Sequence, residues 1–462
     1  MSRNYQTALQ CLNSQQSNAA VLDAVRTSGG AVNKISLPEV EEYLCRIGHT
    51  ASLYTSPHIV AVRERIRING VPLSEDEFTK YFFEVWDLLE RNPTRSLPTT
   101  PIRPNYFRLL TIVAFHAFLS LNVDVTVLEV GIGGRFDSTN IVPQPLVTGV
   151  TSLGLDHVSV LGNTLGEIAR NKGGVPAFSV EQPEEGMIAL QDCATTQESS
   201  VFTVVPVIPE LLNINLGIAG DHQRQNASLA IRMTHQVLKA LVGKDYSLEP
   251  LDRIFVEGVQ QARWPGRCQK VVDPKASNTT WFLDGSHTIE SITCGMEWFG
   301  GLMRESKSED SSLPVKRVLI FNCTSGRSGS KFLETILQVI SARLKARGIT
   351  ISPELIFSRV IFCTNVTYMD GGFKPDLASA AITKAGLSNL NVQEDLARNW
   401  QALLPAFPIS DIHVLPSIQN AVEVIRSLEE PDTDIQVLVC GSLHLVGGVI
   451  EVAGLSDVAL RS

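Results

Sequence analysis

Twice along the chain, short apolar runs alternate with stretches whose apolar residues recur every three or four positions. The first series holds VDVTVLEV, PLVTGVTSL, PAFSV and VFTVVPV, with helical patterns around TLGEIARNK and EEGMIALQD and from His222 onward. The second holds TTWFLD, VKRVLIFN, RVIFCTNV, DIHVLP and IQVLVCGS, again with helices between. Strands that are apolar throughout are those covered by helices on both faces of a parallel sheet. The alternation predicts doubly wound, mostly parallel α/β sheets, with ligands held beyond the carboxyl ends of the strands. Two such series joined near ARWPGRCQK predict two domains, residues 1–266 and 267–462. A length of 462 residues suits two or three domains.

Local signals fill in the frame. In Leu37–Gly48, the spacing of Val40, Tyr43, Leu44 and Ile47 predicts a helix that Gly48 ends. SLYTSPHIVAVRERIRING opens like a strand and continues as an extended arm to Asn69-Gly70. Ser74-x-x-Glu77 is a capping box for a helix with Phe78, Tyr81, Phe82, Val85 and Leu89 on one face. A further helix runs from Tyr106 to Leu121, and SKSEDSSLP reads as a solvated loop.

Charge and cysteine usage exclude several classes. The net charge of −9, from 39 basic and 48 acidic residues, argues against a nucleic-acid binder. The eight cysteines stand singly, with no C-x-x-C pair, which predicts reduced thiols. No apolar stretch is long enough to cross a bilayer, so no membrane insertion is expected. MSRNYQTALQ has neither an apolar signal core nor an Arg-rich leader. The expected location is the cytoplasm, with the mitochondrion as the alternative.

Polar residues sit just past predicted strands. Glu129 ends VTVLE and is followed by the glycine turn VGIGGRFDSTN; Asp156 and His157 follow TSLGL; Ser56 and His58 follow SLYT; Asp284 and His287 follow WFL. Each also has a structural explanation, since a carboxylate at a strand end often caps the next helix. Together, a hydroxyl, a carboxylate and an imidazole could hold a hard cation such as Mg²⁺.

The strings TSPHIVAVRERIRING, YFRLLTIVAFHAF, VLEVGIGGRFDSTNIV, VTSLGLDHVSVLGNTLGEIARNK, GDHQRQNASLA, WPGRCQ and WFLDGSHT occur in this order. They resemble folylpolyglutamate synthases, especially fungal ones, within the Mur ligase superfamily. IFCTNVTYMDGGFKPDL and VLVCGSLHLVGG extend the resemblance nearly end to end. It implies a Mur-ligase-like ATP and folate domain followed by a Rossmann-like ligase domain. It also implies ATP-dependent addition of L-glutamate to the γ-carboxylate of a reduced folate, through an acyl phosphate. Dihydrofolate synthase activity and a non-catalytic folate- or partner-binding role are the alternatives.

Carried over by position, Ser56, Glu129 and His157 match the family's magnesium ligands. Lys172 matches its carbamylated lysine, although by spacing alone Lys172 reads as an exposed residue at a helix end. Arg267, Asp284 and Asn226 match its nucleotide contacts. The implied cofactors are ATP and Mg²⁺, with a monovalent cation as a further candidate. The implied substrates are reduced folate and L-glutamate, and the expected state is a monomer.

One family feature is absent. A strand, a glycine-rich phosphate loop and a helix should precede S-P-H. Here only His49, Thr50 and Ala51 separate the Gly48 helix end from the strand of SLYTSPH. A strand–loop–helix unit with its returning strand needs about thirty residues or more. No G-x-x-x-x-G-K-[ST] string occurs anywhere in the chain. SGRSGSKF has the wrong spacing and reads as a turn and helix start. The passage from Lys172 to Val175-Pro176 is also shorter than the family's. The expectation is a synthase-type chain whose phosphate cradle is missing.

Overall fold

The computed structural model describes residues 3–15, 50–92, 103–135, 137–142, 145–173, 178–197, 202–303, 314–323, 328–372, 374, 376, 390–430 and 432–460. The Leu37–Gly48 helix and the SKSEDSSLP loop up to Leu313 lie outside the described residues, as do Gly174 to Ala177. Contacts divide the chain into two units, Met1–Gly217 with His222–Arg263, and Ile218–Asp221 with Trp264–Ser462.

In the first unit, β1 (Ala51–Tyr54) pairs antiparallel with β2 (Ile66–Ile68), which turns back into β3 (Val71–Pro72). The turn residues Asn69 and Gly70 have φ of 50° and 81°. A two-residue hairpin demands that conformation, and Asn-Gly adopts it most readily. On its other edge β1 pairs in parallel with β4 (Val125–Leu128), giving the order β3-β2-β1-β4. Helix Glu75–Arg91 starts at the expected capping box, with the Glu77 carboxylate accepting from the Ser74 N–H at 2.9 Å. Its Phe78, Tyr81, Phe82 and Val85 bury against helices Tyr5–Asn13 and Tyr106–Ser120.

A second parallel sheet follows, β5 (Gly149–Val150), β6 (Phe178–Val180) and β7 (Thr203–Val205), in the order β5-β6-β7. Helices Leu165–Lys172 and Glu184–Thr196 pack Ile168, Ala169, Ala189 and Leu190 onto Val150 and Leu153. Helix Gln223–Val242 packs Leu229 and Met233 onto Val180 and Val205.

Among the described residues, the first unit thus holds two sheets. Among the described residues, β4 pairs only with β1 and β5 only with β6, so the strands before Glu129 and His157 belong to different sheets. Backbone pairing has to be continuous for two strands to share a sheet, and no described strand bridges β4 and β5.

Among the described residues, the second unit holds six strands in one sheet, ordered β12-β11-β10-β13-β9-β8. They are β8 (Gln269–Val272), β9 (Thr279–Leu283), β10 (Val315–Phe321), β11 (Arg359–Cys363), β12 (Ile412–Leu415) and β13 (Asp434–Cys440). All pairings are parallel except that of β8, which runs antiparallel on the edge. The chain runs β10, β11, β12 outward on one side, then returns to place β13 between β10 and β9, which is a topological switch point. Phe282, Phe299, Phe357, Phe362 and Trp400 anchor the core on one face. Helix Gly329–Ala346 begins where the SGRSGSKF string predicts, with Ser328 accepting from the Lys331 N–H.

Candidate active site

Glu129 directly follows β4 and is buried, at 5% exposure. One carboxylate oxygen accepts from the Ser56 N–H at 2.8 Å and from the Thr55 hydroxyl. Parallel pairing of β1 with β4 forces this meeting, because Tyr54 lies opposite Leu128 and both strands end together. The structure thus brings together Ser56 and Glu129, 73 residues apart in sequence. Thr55 is part of the same constellation, and sequence reasoning passed over it. Its only signal was its position between β1 and Ser56.

The turn after Glu129 is held from within. Asp137 accepts from the Gly131 and Ile132 N–H groups at 3.1 and 3.2 Å, and its other oxygen accepts from the Thr139 N–H at 2.9 Å. The far end of the turn meets the end of helix Leu165–Lys172, where the Arg135 N–H donates to the Asn171 carbonyl at 3.0 Å. Gly134 has to be glycine here, since a β-carbon would come within 2.8 Å of the Lys172 carbonyl.

Lys172 is half-buried rather than exposed. Desolvation pulls its pKa from the ordinary 10.5 to about 7, against the opposing attraction of the Asp156 carboxylate. Asp156 also accepts from the His157 N–H at 2.8 Å and stands 3.7 Å from the imidazole Nε2. His157 has a φ of 49° and precedes a short helix, Val158–Leu161. Asp156, His157 and Lys172 therefore form one polar group, and Thr55, Ser56 and Glu129 another, joined through the glycine turn. Among the described residues, no three His, Cys, Asp or Glu side chains cluster as a metal site. Any ion here would draw its other ligands from water or phosphate.

Asn226 lies in the first turn of helix Gln223–Val242, half-buried, and donates to the Gln223 side chain at 2.9 Å. In the second unit, Asp284 follows β9 and is buried. Its two oxygens accept from the Cys268 N–H at 2.7 Å and the Ser286 N–H at 2.9 Å. It thereby fixes the segment that carries Arg267, whose guanidinium would lie 2.9 Å from a β-carbon at Gly285. His287 is tied to the same turn, its Nδ1 lying 2.8 Å from the Gly285 carbonyl oxygen.

No protein-family profile matches the chain. The folylpolyglutamate synthase of Saccharomyces cerevisiae strain ATCC 204508 / S288c is 37% identical to it over 510 residues, covering 99% of this chain and 88% of the yeast protein. The chain belongs to the folylpolyglutamate synthase family. That alignment is 48 positions longer than the 462 residues of this chain, so at least that many yeast folylpolyglutamate synthase positions face no residue here. Solved folylpolyglutamate synthases share the fold. The Mycobacterium tuberculosis protein complexed with ADP superposes with a TM-score of 0.66 at 21% identity, covering 97% of this chain and 94% of that one. Escherichia coli FolC in complex with DHPP and ADP gives 0.65 at 20% identity, with 98% of each chain covered. No helix among the described residues is long and apolar enough to cross a membrane.

Proposed function

We propose that this chain carries the site of an ATP-dependent ligase adding L-glutamate to the γ-carboxylate of a reduced folate, but lacks the phosphate cradle that turnover needs. The observation that carries the reading is Glu129, buried at the end of β4 and oriented by Thr55 and Ser56. The yeast relative's name and the ADP in the solved bacterial structures support it.

Ser56, Glu129 and His157 would hold Mg²⁺, because a hydroxyl, a carboxylate and an imidazole suit a hard divalent ion that keeps waters and phosphate oxygens. When bound, the ion would neutralise charge on the transferring phosphoryl group. Lys172, close to half neutral at pH 7, has the amine needed to add CO2, forming a carbamate and releasing a proton. Mass spectrometry under bicarbonate would show that carbamate as a gain of one CO2 on the peptide holding Lys172. Arg267, Asp284 and Asn226 are the proposed nucleotide contacts, and Asp284 also holds the segment that carries Arg267. Residues 1–266 would bind ATP and folate, and residues 267–462 would complete the ligase, in a cytoplasmic monomer.

Among the described residues, β4 and β5 each keep one edge without a strand, which fits the absent-cradle half of the reading. A strand inserted between them would join the two sheets of the first unit, and a strand–loop–helix is what the sequence lacks between Gly48 and Ser52. A cradle works through several backbone N–H groups and a helix N-terminus aimed at phosphate. The test is glutamate incorporation into tetrahydrofolate by a version with a family-type strand–loop–helix inserted there. Turnover in that version, abolished by Glu129→Ala or His157→Ala with folding retained, is expected. Undiminished turnover in either variant would make those residues structural.

A further inference from the structure

We propose that Asn171 is a positioning residue that holds Glu129 and His157 in one fixed relation, so that both can reach a single ion. The strands before them, β4 and β5, pair with different partners, and among the described residues no backbone ladder ties one to the other. A magnesium-type ion demands near-ideal geometry, so ligands drawn from two sheets need a link of another kind. Asn171, in the last turn of helix Leu165–Lys172, supplies it.

Asn171 touches both sides at once. Its carbonyl accepts from the Arg135 N–H at 3.0 Å, at the far end of the glycine turn that follows Glu129. Its side-chain amide donates to the Leu161 carbonyl at 3.0 Å. Leu161 closes the one-turn helix Val158–Leu161, and His157 stands at the start of that helix. The His157 carbonyl accepts from the Val160 and Leu161 N–H groups at 2.8 and 3.0 Å, so His157 and Leu161 belong to one hydrogen-bonded turn. One residue therefore joins the two halves of the site, through its main chain on one side and its side chain on the other.

The His157 turn needs this link. A single helical turn is too short to be stable by itself, and its last carbonyls find no partner inside it. The Asn171 amide satisfies one of them. The neighbouring joints pass the constraint on. Glu167 accepts from the Asn163 and Thr164 N–H groups at 2.7 and 3.2 Å, which fixes the passage from Leu161 into helix Leu165–Lys172. On the other side, Gly134 lies so close that a β-carbon there would come within 3.2 Å of the Asn171 carbonyl oxygen, and the Gly134 carbonyl accepts from the Asp137 N–H at 3.0 Å. An aliphatic side chain at position 171 would release the His157 turn alone, because the Arg135 contact uses the main chain and stays.

This step rests on the metal reading above, in which Glu129 and His157 share the ion. Electron paramagnetic resonance on the intact chain, with Mn²⁺ as the probe, measures the site without turnover. Asn171→Ala is expected to weaken Mn²⁺ binding about 10-fold, as the loss of a group that orients a metal ligand does. Asn171→Gln, which keeps an amide donor, should bind Mn²⁺ more tightly than Asn171→Ala. In a His157→Ala background, Asn171→Ala should lower the affinity no further, because its effect passes through His157. Unchanged Mn²⁺ affinity in folded Asn171→Ala overturns the assignment even if its melting temperature falls, since the contact is then structural alone. Equal losses with and without His157 overturn it as well. If Asn171→Ala does not fold, Asn171→Ser, with a shorter side chain and no amide, takes its place with the same outcomes. Failure of the intact chain to bind Mn²⁺ would remove the metal reading itself, and this step with it.

Discussion

The two units of the molecule use the same kind of element and reach different ends. In the second unit, β13 has a strand on each edge, and five of its seven residues are buried. In the first unit, β4 is just as apolar in sequence, yet among the described residues it has one strand partner and only one of its four residues is buried. Neither propensity nor hydrophobicity separates VTVLEV from IQVLVC. Burial of a parallel strand comes from its neighbours, so a sheet that is interrupted leaves a good strand half covered.

The comparison is sharpest when the same side chain is cut from each strand. Leu438→Ala on β13 should cost about 3–4 kcal/mol, because its site is fully enclosed and cannot collapse. Leu128→Ala on β4, a half-buried position, should cost about 1–2 kcal/mol. Urea unfolding of both variants, followed by amide signals of each unit, checks this. Equal losses would mean that β4 is covered as completely as β13.

A second prediction concerns Lys172, where the first unit buries a charge. Between about pH 7 and 10.5, the unfolded chain holds a proton on this amine that the folded chain has released. The folded state therefore carries the whole penalty below that window and sheds it as the pH rises through it. Lys172→Met should stabilise the protein by on the order of 2 kcal/mol near neutral pH, allowing for residual solvent contact. The gain should vanish above pH 10.5, the ordinary value for the amine. Melting curves across this range test it, and a gain independent of pH would assign the effect to packing alone.

The smallest effect isolates local structure from the sheet. Ser74→Ala removes the cap of helix Glu75–Arg91 and should cost about 1 kcal/mol. A negligible loss would show that packing of Phe78 and Phe82 holds that helix without its cap.

What was legible in the sequence was whatever is decided locally. The Ser74 box, the Asn69-Gly70 turn and the start of helix Gly329–Ala346 each rest on residues within a few positions of one another. The strand–helix alternation gave both series of elements, though β8 was missed, because QKVV is a short edge strand whose partner decides it. The separation of β4 from β5 among the described residues was not legible, because pairing joins segments distant in sequence. The candidate site divides along the same line. Glu129, Ser56 and His157 could be named from strand ends and from the resemblance. The Thr55 hydroxyl on Glu129, the desolvation of Lys172 and the commitment of both Asp284 oxygens to backbone N–H groups are tertiary facts. Asp284 holds the Arg267 segment through one N–H on each oxygen, and each oxygen keeps acceptor capacity for a further contact.

The central proposal is that the chain lacks a phosphate cradle before Ser52, where the described residues leave β4 and β5 unjoined. Calorimetry of MgATP binding is its most direct test, comparing the chain as written with a version carrying a family-type strand–loop–helix between Gly48 and Ser52. The account predicts weak or undetectable binding by the first and tight, stoichiometric binding by the second. Equally tight binding by the unaltered chain would contradict it, and would place the phosphates on another part of this protein.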